Sequence, residues 1–386
     1  MVYNFRLLFR LIYLSLFKTK GTHLRLTAKR IKFLIFFFIL IIYGTVLAWY
    51  SFLLDNIFFR KYRQQKIKQP VFIIGNFRSG TTFLHRLFAK DEKRFTCLKT
   101  WEIYLAPSIS QRKLIKGLYI LDKLLGSPIG RKIDKIEKNM FQPFKLHRVG
   151  LKEPEEDEGL LFYIFSSLFI WFLFPVQDEV KIFHYFDREM PVWRKKGIMK
   201  FYRSCVQRHL FAHGVNKQFL SKNTSFAPKI DSLLKYFPGA KIIYVIRNPL
   251  EMFPSEMSWF SFCWQCFCNL LEEFPFKKEV IEMSKHWYTY PVNRLKQEPK
   301  ENYILLNYDN IIKNPEKTVK KVYKRFGFNM SRRFEEIIKH ETEKAKSFKR
   351  SKISALNKIG LTKKQIINEF REIYDHFQFD INVESR

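Results

Sequence analysis

A short apolar run that ends in a glycine-rich turn constrains the fold of this sequence most strongly. Residues 70–75 read Pro-Val-Phe-Ile-Ile-Gly, and residues 81–90 follow with the apolar spacing of a helix. Similar runs at 241–246 and 302–306 predict two more buried strands, and helical patterns follow them. Because strands that alternate with helices form parallel sheets, we predict an α/β fold with a doubly wound, central parallel sheet flanked by helices.

The turn itself, Gly75 to Thr82, has the composition of an anion-binding loop. A helix N-terminus offers free backbone N–H groups and the positive end of the helix dipole, and glycines let the backbone curl around an anion. The spacing Gly75-x-x-x-x-Gly80 matches a Walker A loop, but Thr81 stands where that motif has its lysine. This absence disfavours nucleotide hydrolysis. The potential ligand-binding residues of the loop are Arg78, Ser79, Gly80, Thr81 and Thr82.

A second constraint is the run Phe33–Leu54, which has 22 residues and no charge. About 20 apolar residues cross a bilayer core, so this run predicts a transmembrane or membrane-anchoring helix, with a buried core helix as the alternative. Residues 1–32 contain eight Lys or Arg and no acid, and residues 55–69 are also basic. The positive-inside rule therefore favours a cytoplasmic N-terminus only weakly, and a helix with both ends on one face remains open.

These features divide the chain into four parts. Residues 1–32 form a basic amphipathic segment, 33–54 the membrane helix, 55–69 a basic linker and 70–386 the catalytic domain. The 69 Lys and Arg against 36 Asp and Glu give a formal net charge of +33, which indicates anionic partners. A nucleic-acid-binding protein would explain this charge, but it would not explain the membrane segment, and no recognised binding motif is present.

The run Gly75–Leu84 resembles the 5′-phosphosulfate loop of sulfotransferases that use 3′-phosphoadenosine 5′-phosphosulfate (PAPS). The family order continues through Ser221–Thr224, Phe237–Lys241, Tyr244–Pro249 and Ser255, and the resemblance covers roughly residues 70–375. The sequence departs from the family at two positions, where Phe77 replaces a proline and Asn248 replaces an aspartate.

The resemblance implies a three-layer P-loop-like fold and a nucleotide site with no metal. Residues 78–82 would bind the 5′-phosphosulfate, and Arg247 and Ser255 the 3′-phosphate. Lys222 would contact the transferred sulfate, and a basic loop with Lys349, Arg350 and Lys352 would close over the nucleotide.

For the general base we predict Glu102, which lies 24 residues after Arg78, where relatives that sulfate proteins carry their catalytic glutamate. Partial desolvation beside Trp101 would raise the pKa of this carboxyl group towards a useful value. His147 is a rival base, and so is an acid of the run 153–158, of which Glu156 or Glu158 could instead assist the base or bind a cationic acceptor.

The predicted function is sulfuryl transfer from PAPS to a hydroxyl of a lipid, glycolipid or glycan, with a protein tyrosine still open. The apolar stretch Leu160–Phe174 is predicted as a helix that stays with the catalytic domain and lines the acceptor pocket or contacts lipid. We expect the cytoplasmic face of a bacterial inner membrane, with the Golgi lumen as the alternative. The rival functions are a P-loop nucleotide kinase or NTPase and a non-catalytic membrane protein that binds an anionic ligand.

Overall fold

A five-stranded parallel sheet forms the centre of the computed structural model, which describes residues 2–141, 150–213, 216–346 and 356–381. The strand order is β2-β3-β1-β4-β5, and every neighbouring pair is parallel. The predicted α/β fold with a central parallel sheet is confirmed. The strands are β1 (Val71–Gly75), β2 (Phe95–Thr96), β3 (Gln218–Lys222), β4 (Lys241–Ile246) and β5 (Tyr303–Asn307).

The order of the strands places a topological switch point beside β1. After β1 the chain builds one half of the sheet with β2 and β3, and it then crosses to the other side of β1 to build β4 and β5. The loops after β1 and β4 therefore diverge at the carboxyl edge of the sheet, where α/β folds bind ligands. In register, Gly75 lies opposite Val245 of β4, and Ile73 lies opposite Lys222 of β3.

Apolar side chains cover both faces of the sheet, since alternate residues of each strand point in opposite directions. Phe72 and Tyr244 belong to a large cluster on one face, whereas Ile73 and Val245 belong to a smaller cluster on the other. Helices pack on both clusters and complete the three layers. In the described part of the chain the α-helices are α1 (Phe5–Phe17), α2 (Ala28–Phe58), α3 (Thr81–Ala89), α4 (Thr100–Tyr104), α5 (Ile109–Leu124), α6 (Pro128–Phe141), α7 (Ile170–Leu173), α8 (Gln177–His184), α9 (Phe186–Glu189), α10 (Val192–His213), α11 (Ile230–Tyr236), α12 (Pro249–Phe267), α13 (Lys277–Leu295), α14 (Tyr308–Lys313), α15 (Pro315–Phe326), α16 (Arg332–Lys346), α17 (Lys363–Glu369) and α18 (Arg371–Phe377).

The apolar helix α2 is longer than the uncharged run 33–54 at both ends. It begins after Thr27, whose side chain accepts a hydrogen bond from the backbone N–H of Arg30 at 3.3 Å. Among the described residues it is the helix long and apolar enough to cross a membrane. One stripe of α2 is buried, however, and its Leu34, Phe37 and Phe52 belong to the same apolar cluster as Phe72 of the sheet.

The prediction of one helix over Leu160–Phe174 is wrong. A 3-10 helix covers Asp157–Ile164, Phe165 takes a left-handed conformation with φ 49°, and only Ile170–Leu173 returns to α-helix. The Glu158 carboxylate accepts a hydrogen bond from the backbone N–H of Leu168 at 2.7 Å, so a side chain satisfies a donor that a continuous helix would have paired internally. Most of the segment is buried in the large cluster rather than presented to lipid.

Candidate active site

The loop between β1 and α3 is a tight turn held by its own backbone. Arg78 and Gly80 both take left-handed conformations, with φ of 62° and 90°. The Ser79 N–H and hydroxyl both donate to the carbonyl oxygen of Asn76, at 3.3 and 2.7 Å. The turn ends at Gly80, the N-cap of α3, so the first N–H groups of α3 open towards the carboxyl edge of the sheet.

Two glycines are required because other groups approach the loop closely. A Cβ atom on Gly75 would lie 2.5 Å from the carbonyl oxygen of Val245, and one on Gly80 would collide with the ring of Tyr308. That ring also carries the Arg247 guanidinium, whose carbon lies 4.1 Å from the ring centroid. Tyr308, which sequence reasoning missed, therefore joins the two halves of the predicted nucleotide site.

Direct hydrogen bonds also connect these two halves. Arg247 follows β4, and its guanidinium donates to the carbonyl oxygen of Arg78 at 2.8 Å and to the Glu251 carboxylate at 3.1 Å. The Arg78 side chain donates to the Ser255 hydroxyl on α12 at 3.0 Å. Burial, followed by the nearby charge of Arg247, lowers the pKa of Arg78. The structure therefore brings together two arginines and a serine that the sequence places up to 177 residues apart.

The hydroxyl groups of the loop differ in their surroundings. Ser79 is fully buried and its hydroxyl is used inside the turn, so it shapes the loop. Thr81 is almost completely buried, whereas Thr82 is half-buried.

Local contacts account for both departures from the family pattern, ring packing at Phe77 and helix capping at Asn248. Phe77 lies in an aromatic cluster with Phe172, Phe260 and Trp287, at centroid distances of 5.7, 5.2 and 5.3 Å. This packing fixes the position of the loop, as a proline ring would do in the family pattern. Asn248 caps α12 by accepting from the N–H of Leu250 at 3.0 Å, a role that asparagine and aspartate share.

Lys222 ends β3 beside the loop and is buried against an acidic partner. Its ammonium group forms a short ion pair with Glu156, whose second carboxylate oxygen lies 3.5 Å from the Thr224 hydroxyl. Burial raises the pKa of Glu156, and the charge of Lys222 only partly opposes this shift. A lysine and a carboxylate thus lie together at the carboxyl edge of the sheet.

The following acids of the run 153–158 are structural partners rather than a solvated turn. Asp157 accepts from the hydroxyls of Tyr202 and Ser221 at 2.5 and 3.0 Å, and burial raises its pKa to about 7. Glu158 pairs with Lys229 at 2.8 Å. These contacts anchor the acidic run to β3 and the segment after it.

Glu102 lies in a different network. It is nearly fully buried in α4, accepts from the Lys99 N–H at 3.0 Å, and lies 2.5 Å from Nε2 of His213 and 3.9 Å from Nδ1 of His209. Burial alone would raise the pKa of Glu102, but His213, His209 and the Arg112 guanidinium together outweigh it and hold the pKa far below its usual range. The prediction of a raised pKa at Glu102 is therefore wrong.

Sequence reasoning missed the two histidines, although their spacing of four residues on α10 could have indicated them. With Glu102 they offer three ligand atoms within 4.8 Å of one another, a group that could hold a metal ion. Arg112, however, lies 3.2 Å from Nδ1 of His209, and because arginine can only donate, that nitrogen must accept. The lone pair that a metal would need is engaged by a buried cation. The expectation of a metal-free reaction stays a prediction.

Four predicted site residues lie outside the described residues. They are the rival base and the three cations of the basic loop: His147, Lys349, Arg350 and Lys352.

Comparison with known proteins bears on the fold and the family. A family model described as "Sulfotransferase family" matches residues 70–332. The omega-hydroxy-beta-dihydromenaquinone-9 sulfotransferases Stf3 of Mycobacterium bovis and Mycobacterium tuberculosis are each 25% identical over 203 residues, which are 49% of this chain and 44% of theirs. The match thus spans less than half the length of these curated relatives.

Two crystal structures share the fold. Sulfotransferase STF9 from Mycobacterium avium superposes with a TM-score of 0.69 at 16% identity, over 87% of this chain and 83% of that one. Sulfotransferase STF1 from Mycobacterium tuberculosis H37Rv gives a TM-score of 0.68 at 17% identity, over 94% and 91%.

Proposed function

This chain belongs to the sulfotransferase family, and we propose from this premise that it transfers a sulfuryl group from PAPS to a hydroxyl of an amphiphilic acceptor. The observation that carries the proposal is the hydrogen-bonded junction of the β1–α3 loop with Arg247 and Ser255 at the switch point of the sheet. A nucleotide with phosphates at its 5′ and 3′ positions needs two anion sites held at a fixed separation, and this junction supplies such a pair.

On this proposal each half of the site takes one end of the donor. The N–H groups at the start of α3, with Arg78, Thr81 and Thr82, bind the 5′-phosphosulfate. Arg247 and Ser255 bind the 3′-phosphate, and the Tyr308 ring holds the Arg247 guanidinium in position by a cation–π contact.

The chemical step is an in-line displacement at sulfur. The acceptor oxygen forms a bond to sulfur as the bond from sulfur to the 5′-phosphate oxygen breaks, and adenosine 3′,5′-bisphosphate leaves. Lys222 stabilises the charge that develops on the transferred group and the leaving oxygen. The proton of the acceptor hydroxyl passes to a carboxylate of the protein.

Two carboxylates compete for the role of that base, and the contacts favour Glu156 over Glu102. The pKa of Glu102 is held low by His213, His209 and Arg112, which makes it a weak base. Glu156 instead touches Lys222, and burial raises its pKa. We therefore assign proton removal to Glu156, and to Glu102 the positioning of α4 against α10.

An amphiphilic acceptor is supported by two observations. The Stf3 relatives are named for a menaquinone substrate with an omega-hydroxyl group. The catalytic domain also packs directly against the apolar helix α2, which would keep its acceptor pocket near lipid.

The donor site is tested by calorimetric binding of adenosine 3′,5′-bisphosphate to the full chain in detergent, without magnesium. We expect Arg247→Ala to weaken binding about 10–100-fold, because charge-assisted hydrogen bonds to phosphate contribute roughly 1.5–3 kcal/mol. Arg294→Ala is the matched control, since Arg294 forms half-exposed ion pairs with Asp231 and Glu298. No binding of this nucleotide, with magnesium-dependent binding of ATP, would favour the kinase function instead.

The base is tested by transfer of labelled sulfate from PAPS to a lipid extract. We expect Glu156→Gln to slow transfer at least about 100-fold while nucleotide affinity is retained. Glu102→Gln should lower the melting temperature of the protein, because Glu102 positions α4 against α10, and it should leave the transfer rate of the folded protein largely unchanged. If Glu102→Gln abolished transfer in a folded protein and Glu156→Gln did not, the two roles would be reversed.

The acceptor class is tested with the same labelled PAPS, by comparing transfer to the lipid extract with transfer to soluble sugars and peptides. Labelling of the soluble sugars or peptides alone would exclude the amphiphilic acceptor.

A further inference from the structure

Helix α2 contacts the catalytic domain along a single stripe. Its buried residues include Arg30, Leu34, Phe37, Phe52 and Asp55. At 100° per residue these positions fall within about 40° of one line along the helix. The opposite face is apolar and exposed, so α2 has one side against protein and one side against the surroundings.

This stripe is attached to the domain at both ends of the helix. Near the start, the Arg30 guanidinium donates to the carbonyl oxygens of Leu173 and Phe267 at 3.1 and 2.7 Å. Near the end, Asp55 accepts from the backbone N–H groups of Ile109 and Ser110 at 2.9 and 2.8 Å. At 1.5 Å per residue, Arg30 and Asp55 lie about 37 Å apart, which exceeds the roughly 30 Å of a bilayer core.

A helix that spanned the membrane could not make these contacts. The domain would have to follow α2 through the whole hydrocarbon layer, and that layer would then surround the charged groups of the domain surface, which is very costly. If α2 lies in the plane of the membrane, its outer face meets lipid while the domain stays in water. Exposed aromatic side chains on that face, such as Tyr43 and Tyr50, suit the interface between lipid and water.

Charge supports the same arrangement. Lys18 and Lys20 precede α2, and Arg60, Lys61 and Arg63 follow it. Because both flanks are basic, the positive-inside rule does not indicate which end of a spanning helix would be cytoplasmic. Basic flanks do suit a helix that has both ends on one side of an anionic surface. We propose that this protein is monotopic, with α2 lying in the plane of an anionic lipid bilayer and both of its ends on the same side.

A second element extends the proposed membrane face. The α5–α6 hairpin carries exposed apolar residues, including Leu118, Leu125 and Ile133. Lysines and arginines are interleaved with them, as in helices that bind anionic membrane surfaces. Since Asp55 joins the end of α2 to the start of α5, the hairpin is continuous with α2 and enters the same lipid layer.

Topology is tested with single cysteines at exposed positions on either flank, Lys20→Cys and Lys61→Cys, in the full chain. In sealed membrane vesicles, a membrane-impermeant maleimide should label both positions or neither. The parent chain corrects for its half-exposed Cys97 and Cys266. Labelling of one flank with protection of the other would establish a span and overturn the proposal.

The proposed membrane face is tested by flotation with vesicles of phosphatidylcholine and phosphatidylglycerol. We expect Leu118→Asp and Leu125→Asp together to weaken binding about 100-fold or more, because two apolar side chains would leave the lipid and two charged groups would replace them. Ile381→Asp, at an exposed C-terminal position, should bind like the parent. Vesicle binding that the two substitutions leave unchanged would exclude the hairpin from the lipid layer. A chain that does not float with vesicles and forms a stable oligomer would overturn the proposal and assign this face to a second copy of the chain.

Discussion

The burial of one carboxyl group, that of Glu256, makes the stability of this protein depend on pH. Glu256 lies on α12, next to the proposed 3′-phosphate residue Ser255, and it is fully buried with a 2.8 Å hydrogen bond from the Ser284 hydroxyl. Burial raises the pKa of Glu256 from 4.5 to about 8. The folded chain therefore retains a proton that the unfolded chain has already lost at neutral pH.

From this we predict how stability depends on pH. Between pH 4.5 and about 8 the folded state binds more protons than the unfolded state, so Glu256 makes the free energy of unfolding fall as pH rises. The slope is at most about 1.4 kcal/mol per pH unit. Glu256→Gln cannot titrate, so melting temperatures measured across this range should fall less steeply in the variant. Glu336→Gln, an exposed control, should leave the slope as it is, and equal slopes in all three proteins would contradict the shifted pKa.

At the residue scale, local spacing predicted part of the site and long-range contacts formed the rest. The positions of Arg78, Arg247 and Ser255 follow from motifs, and the structure brings them together. The surroundings of Glu102 do not follow from motifs. Its histidine partners on α10 lie more than 100 residues away, and they reverse the direction of its predicted pKa shift.

At the scale of the elements, the conformation of the turn before α3 depends on Gly80. Gly80 has φ 90° and its α-carbon faces the Tyr308 ring. We predict that Gly80→Ala lowers stability by roughly 1–3 kcal/mol and also weakens nucleotide binding, because the turn must shift to relieve both the strain and the collision. Thermal melts and calorimetry of the same samples measure the two effects.

Gly327 provides a matched control for this prediction. It also has a positive φ, 67°, at the C-terminal end of α15, but a Cβ atom there would meet nothing within 4 Å. Gly327→Ala should therefore cost only the backbone strain, about 1 kcal/mol, with unchanged nucleotide affinity. A Gly80 variant that bound nucleotide normally would show that the close approach of Tyr308 is dispensable.

Strands β1, β4 and β5 were predictable because each contains a continuous apolar run. The prediction did not include β2, which has only two residues, or β3, whose sequence Gln-Phe-Leu-Ser-Lys is partly polar. The apolar stretch Leu160–Phe174 misled for the opposite reason. Its composition suits a helix, but Glu158 and the left-handed Phe165 interrupt it, and tertiary burial rather than helical hydrogen bonding satisfies the segment.

On the scale of the whole molecule, the N-terminal helices belong to the core of the protein. Leu7, Leu8 and Leu11 of α1 lie in the same apolar cluster as the sheet, and Asp55 of α2 pairs with the buried Arg208 at 3.0 Å. We predict that a chain beginning at residue 60 loses its cooperative melting transition and aggregates, because the cluster is opened and Arg208 loses its partner.

Asp55→Asn separates the effect of charge from the loss of the whole helix. It keeps an acceptor for the N–H groups of α5 but leaves Arg208 uncompensated, and it should destabilise the full chain by about 3 kcal/mol in thermal or denaturant unfolding. If the shortened chain melted cooperatively and bound adenosine 3′,5′-bisphosphate with full affinity, the N-terminal helices would be accessory to the catalytic domain.

The contacts of α2 have a consequence for the biosynthesis of the protein. The helix is translated early, yet the acceptor for Trp49 lies 114 residues later, the partner of Asp55 lies 153 residues later, and one acceptor for Arg30 lies 237 residues later. At 5–20 residues per second, the ribosome needs roughly 6–47 s to reach these partners after it has made the corresponding residues of α2. During that interval neither face of the helix has its contacts with the domain. We therefore expect a membrane surface or a chaperone to cover the apolar residues of α2 until the domain packs against its inner face.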